Sequence, residues 1–109
     1  EHKDYHGIYC GSLPKRDAAY HQGTAWGFLM GGFLTAYMKV HHHSPEAKKQ
    51  AMAYLAPVQT HLLEEGCIGS ISEIFDGDAP HTCRGCYAQA WSVGEILRCY
   101  TQDIQKNQK

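Results

Sequence analysis

Between Gly66 and Gly85 the chain loses every helical repeat, while apolar residues recur at helical spacing on both sides of the interval. A run of about 15 or more residues without a period is uncommon inside a compact domain and is usually functional. This one is centred on Ser70-Ile-Ser-Glu-Ile-Phe-Asp-Gly-Asp-Ala-Pro-His81 and gathers three carboxylates, Glu73, Asp76 and Asp78, among glycine and proline. A helical domain must build around such a loop. Acids concentrated between rigid elements are the first place to seek chemistry.

The flanking sequence reads as all-α. Residues 1 to 19 look irregular, because Gly7, Gly11, Ser12 and Pro14 interrupt any period. A first helix is expected from an N-cap at Thr24, with Trp26, Leu29, Met30, Phe33, Tyr37 and Val40 as its apolar repeat, ending in His41-His42-His43. Gly27, Gly31 and Gly32 each weaken that helix by roughly 1 kcal/mol relative to Ala. Such a cost makes sense where a neighbour or ligand must approach closely. Ser44-Pro45-Glu46 is a strong start signal for a second helix, with Ala47, Ala51, Tyr54, Leu55, Val58 and Leu62 as its stripe. Pro57 should kink it, and Glu64-Glu65-Gly66 closes it. A third helix follows Gly85, with Ala90, Val93, Leu97, Tyr100 and Ile104 on one side. The polar tail from Gln105 to Lys109 should fray.

Composition narrows the function classes. With 109 residues and a formal net charge of -1, one domain is expected, and no electrostatic footprint for nucleic acid is present. The most apolar run, Gly27 to Val40, is well short of the roughly 20 residues that span a bilayer. No signal peptide is visible at the start. Five scattered cysteines do not make a disulfide framework, so reduced thiols in the cytoplasm are expected.

Several groupings could carry chemistry. Glu73 lies between Ile71 and Phe75, and glycoside hydrolases use a carboxyl of this kind opposite a second one. Its plainer reading is a partly buried glutamate paired with Arg84 or capping a turn, and spacing alone favours that. Apolar flanks disfavour a charged carboxylate, whereas a base must be ionised. Donors to Glu73 are therefore expected, with Tyr20, His21 or the glycine-rich backbone as candidates. Asp76 and Asp78 flank Gly77 and read as turn residues. Tyr20-His-Gln-Gly-Thr-Ala-Trp26 combines flat rings with an imidazole and an amide, which suits a sugar face and its hydroxyls. Equally, Trp26 and Tyr20 could be core and His21 a structural histidine. His81, Cys83 and Cys86 have knuckle spacing without a second ligand pair, so incidental thiols are favoured over zinc. No metal and no cofactor are expected.

Three blocks, Ala19-Tyr-His-Gln-Gly-Thr-Ala-Trp26, Ser70-Ile-Ser-Glu-Ile-Phe-Asp-Gly-Asp78 and Arg84-Gly-Cys-Tyr-Ala-Gln-Ala-Trp-Ser-Val93, together resemble the C-terminal part of glycogen debranching enzymes. These are the amylo-α-1,6-glucosidases of the compact bacterial and archaeal type. The resemblance runs in order from about Tyr5 to Tyr100. It implies an α/α toroid of six helical hairpins, of which residues 1–109 would be the C-terminal fragment. It implies inverting hydrolysis of α-1,6-linked glucose stubs on glycogen or a related branched α-glucan.

Residue by residue, Glu73 matches the general base that activates water. Tyr20, His21, Gln22 and Trp26 match a loop lining the sugar pocket, and Gln89 and Trp91 match the start of a late helix near the site. Family members often read Trp-Pro-Trp where this chain has Trp26-Gly27-Phe28, and Gly-Pro where it has Gly31-Gly32, so one aromatic surface of the subsite differs. The family's general-acid aspartate would lie upstream, leaving the fragment alone inactive and its apolar faces dependent on the remainder of the toroid. The alternatives are another toroid glycosidase of glucoamylase or trehalase type, or a non-catalytic helical glycan-binding module. The expected partners are the glucan and the remaining toroid, with neither nucleic acid nor membrane involved.

Overall fold

The structure, a computed structural model, describes residues 2–105. Residues 106–109, most of the tail expected to fray, lie outside the described residues. The described chain is mostly helical, in the order α1 (Leu13–Tyr20), β1 (Ala25–Trp26), α2 (Leu29–Val40), α3 (Pro45–Glu64), β2 (Ile74–Phe75), β3 (Cys83–Arg84) and α4 (Ala90–Cys99). A π-helical turn, Tyr100–Ile104, continues α4. The all-α expectation holds, with little strand.

Helix α1 corrects the reading of residues 1 to 19 as irregular. Pro14 stands in its first turn, where a missing N–H costs nothing and the fixed φ is already helical. The residue taken for a break is a start. Thr24 likewise does not cap α2. Its Oγ1 donates to the Tyr20 carbonyl at 2.6 Å, and Trp26 lies in β1, opposite Ile74. Strand pairing claims residues 25 and 26, so α2 begins only at Leu29.

Ser44 does what its local sequence promised: its Oγ accepts from the Ala47 N–H at 3.1 Å, at the head of α3. Helix α3 passes through Pro57 as a single element of 20 residues. Beyond α2, His42 and His43 take positive φ values of 52° and 51°, and the His43 N–H bonds back to Met38 O at 2.8 Å.

The core joins Leu34 and Met38 of α2 to Ala47, Ala51 and Leu55 of α3, with Cys99 and Ile104 from the last segment. Burial raises the Cys99 thiol above its ordinary value. Helix α2 is apolar almost all round, so its period did not single out the inner face. Leu29, Phe33 and Val40 of the expected stripe are exposed, Val40 at 71 %. On α4 the buried positions are Ser92 and Cys99, and Leu97 faces out.

Gly31 is buried against α4, where a Cβ would come within 2.8 Å of the Glu95 backbone oxygen. That explains the small residue in an otherwise weakened helix. Arg98 then ties the two helices together by donating to Glu95, Thr35 and Asp103. Among the described residues, no helix is long and apolar enough to cross a membrane.

The interval from Gly66 to Gly85 is not structureless. β2 pairs antiparallel with β1 on one side and β3 on the other, giving the order β1-β2-β3. This small sheet brings the segment before α2 beside the acidic loop.

Candidate active site

Glu73 sits immediately before β2 and is bound through its backbone on both sides. Its N–H donates to Cys86 O at 2.8 Å, and its carbonyl accepts from Gly27 N–H at 3.3 Å. The carboxylate accepts two further bonds. Tyr20 Oη donates to Oε1 at 2.7 Å, and the Cys86 N–H donates to Oε2 at 3.0 Å. The expectation that Tyr20 or glycine-flanked backbone would supply donors is met by both, whereas His21 supplies none.

Gly85, at φ +69°, makes the second bond possible: a Cβ there would stand 2.5 Å from Oε2. A carboxylate has about four lone-pair sites. Two donors leave room for a water. The hydrogen bond to Glu73 is also the main reason the Tyr20 phenol is pushed up to about 12, with burial adding to it. Tyr20 therefore stays a neutral donor across any working pH.

Of the plainer reading of Glu73, the pairing with Arg84 fails, while the bond from the Cys86 N–H fits its other half, a carboxylate capping a turn. Arg84 donates from Nε and a terminal nitrogen to Asp76 Oδ2, at 3.1 and 3.0 Å, and raises its own already high value by doing so. Asp76 is 3 % exposed and also accepts from the Tyr9 N–H at 2.8 Å. This corrects the reading of Asp76 as a turn residue: its partners are Arg84, across the hairpin, and Tyr9, far back in the chain. Asp78 does stay at the exposed turn, where it accepts from Tyr5 Oη at 2.9 Å.

Around Tyr20 stands a continuous set of rings. Its centroid lies 4.7 Å from Trp26, 4.8 Å from His21 and 5.8 Å from Tyr9. His21 stacks on Trp26 at 5.2 Å with planes 3° apart. Trp26 meets Trp91 edge-on at 6.1 Å, and Phe28 stacks on Trp91 at 4.6 Å. Trp91 is 47 % exposed, so the cluster opens to solvent. Phe28, the residue at the departure from the family pattern, thus belongs to this cluster.

Residues 1–98 match the sequence model of a family described as amylo-alpha-1,6-glucosidase. The chain belongs to that family. No curated protein and no solved structure matches it. Membership connects the chain to the C-terminal region of glycogen debranching enzymes, and so to glycoside hydrolases and glycogen-related glucans.

The residues expected at an amylo-α-1,6-glucosidase site fall into two groups. Tyr20, His21, Trp26 and Trp91 share the ring cluster, and Tyr20 joins it to Glu73. Gln22 is exposed beside it, its carbonyl accepting from the His6 N–H at 3.0 Å. Gln89 is the N-cap residue of α4, with its N–H on Ile71 O, and makes no side-chain capping bond.

Ile71 and Phe75, the apolar flanks of Glu73, line a groove of about 430 Å³ that Trp26 also lines and to which Glu73 does not contribute. Their apolar surface is turned to His61 and α3 instead. His61, 4 % exposed, accepts from the Ser72 N–H at Nε2, which leaves the proton on Nδ1 facing Glu65. His61 and Ser72 thereby hold the acidic loop to α3. Sequence does not place Tyr9 or the Cys86 N–H at the site, reads Asp76 as a turn residue, and marks Phe28 only as a departure from the family pattern. Asp76 has a charge partner nearby in sequence, Arg84, but Glu73 lies at a similar separation from it, so spacing does not tell the two carboxylates apart. Among the described residues, no group of three or more His, Cys, Asp or Glu could hold a metal ion.

Proposed function

We propose that this chain supplies the base half of an inverting α-1,6-glucosidase site, with Glu73 activating the water that attacks the anomeric carbon of a glucose branch stub. The observation that carries the reading is the Glu73 carboxylate held by Tyr20 Oη and the Cys86 N–H beneath an open wall of aromatic rings. Tyr20 and the backbone fix the orientation of the base, and the remaining lone pairs face a water. Trp26 and Trp91 offer apolar faces to the glucose ring, with His21, Gln22 and Gln89 as hydrogen-bonding neighbours. Hydrolysis with inversion needs a second carboxyl on the far side of the bond, about 6.5–9.5 Å away. Asp76 does not serve, since Arg84 and the Tyr9 N–H hold it. The acid is assigned, as the family resemblance implies, to an aspartate upstream of this chain.

Residues 1–109 are on this reading one part of an α/α toroid in a cytoplasmic glycogen debranching enzyme. The exposed Leu29, Phe33, Val40 and Leu97 support it, because neighbouring hairpins would cover them. The test is Glu73→Gln in the intact protein. Glucose release from a singly branched limit dextrin should fall below detection while glycogen binding persists, and wild-type product should first appear as the β-anomer. Wild-type turnover in the variant would end the assignment of Glu73 as base. Activity on maltose or trehalose in place of the dextrin would move the chain to another toroid glycosidase.

A further inference from the structure

We propose that Asp76 is a positioning residue for the Glu73 carboxylate, setting through Arg84 and Tyr9 the two groups that donate to it. The inference deepens the Glu73 reading above and rests on it.

Asp76 stands where two chain segments meet. Its Oδ2 takes both prongs of Arg84, and its Oδ1 takes the Tyr9 N–H. A turn aspartate bonds backbone within a residue or two of itself, and these partners are eight and 67 positions away. Each partner leads directly to one donor on Glu73.

Arg84 precedes Gly85, whose left-handed φ delivers the Cys86 N–H to Oε2. Cys86 lies two residues beyond Arg84, the last residue of β3, so a shift of β3 acts on the donor through Gly85, at the place where Glu73 N–H also bonds Cys86 O. On the other side, the Tyr9 ring packs 5.8 Å from the Tyr20 ring, and the Arg16 guanidinium lies 6.0 Å over Tyr9. Tyr20 Oη then meets Oε1. One buried carboxylate thus registers both arms of the clasp. The Asp76 carboxylate is buried while the Arg84 side chain is 35 % exposed, and an ion pair of this kind adds little net stability, so what it contributes is orientation.

Asp76→Asn keeps the size and removes the charge. In intact protein carrying ring-labelled tyrosine, wild type should show one phenol titrating at about 12, absent from Tyr20→Phe. In Asp76→Asn that phenol should return toward the ordinary value near 10, and the Cys86 amide proton should lose its downfield hydrogen-bonded shift. kcat should drop on the order of a hundredfold, as for a misplaced catalytic group, with KM little changed. A variant that melts earlier yet keeps Tyr20 at about 12 and Cys86 unshifted would overturn the proposal and leave Asp76 a stabilising residue only. Should Asp76→Asn fail to fold, Arg84→Lys retains the charge without the fork. It should shift the Cys86 amide while leaving Tyr20 bonded, and an unmoved Cys86 would overturn the proposal equally. These two signals do not depend on turnover, so they decide the positioning role even where Glu73→Gln still releases glucose.

Discussion

The helical body and the layer of loops beside it are held by different physics. In the body, α2, α3 and the last segment meet through Leu34, Met38, Ala51, Leu55 and Cys99, and burial of apolar surface does most of the work. In the site layer the strands are two residues long, and the fold is fixed by side chains bonded to distant backbone: Asp76 to Tyr9, His61 to Ser72, Glu73 to Cys86. Apolar burial is non-directional and tolerates modest repacking. Hydrogen bonds set position within a few tenths of an ångström. Stability is thus made in one region and geometry in the other.

If the division is real, Leu34→Ala should lower stability by about 2–5 kcal/mol, since Leu34 is fully buried in that core. Chemical denaturation measures this, and kcat per folded molecule should stay at the wild-type value. A loss of kcat in protein that is still folded would break the comparison.

A smaller effect on stability but a larger one on activity is expected from Gly85→Ala. A positive φ costs an L-residue roughly 1–2 kcal/mol, and the new methyl would stand 2.5 Å from Glu73 Oε2. Glucose release should fall at least tenfold, and full activity would show that the Cys86 bond does not matter.

The finest probe is pH. Because the folded Tyr20 phenol is raised to about 12 from an ordinary 10, its bond to Glu73 stabilises fully below about pH 10. That contribution is lost as pH rises through about 12. Urea midpoints of wild type and Tyr20→Phe should therefore differ at pH 9 and converge toward pH 12. A difference that persists unchanged at high pH would mean Tyr20 contributes only by packing.

Much of the helical body was legible because its signals are local. Ser44, Pro45 and Glu46 act on the four orphan N–H groups of their own helix, and α3 starts where they stand. The same local logic failed at Pro14, where a start signal was taken for a break. It failed at Thr24 because strand pairing, a contact with residues some fifty positions away, displaced the helix start. The inner face of α2 was illegible for another reason: a helix apolar on every side has no pattern to read.

Sequence alone determined the order of α2, α3 and α4 and, through the blocks that hold Glu73, Tyr20 and Trp26, the family. Tertiary structure decided who partners whom. Arg84 lies eleven residues from Glu73 and eight from Asp76, and nothing along the chain distinguishes them. Only the β2–β3 register, pairing Ile74 with Arg84, gives the guanidinium to Asp76 and leaves the Glu73 carboxylate to Tyr20 and Cys86. Composition and spacing act along the chain, whereas a hydrogen bond of about 3 Å depends on where the folded backbone comes to rest.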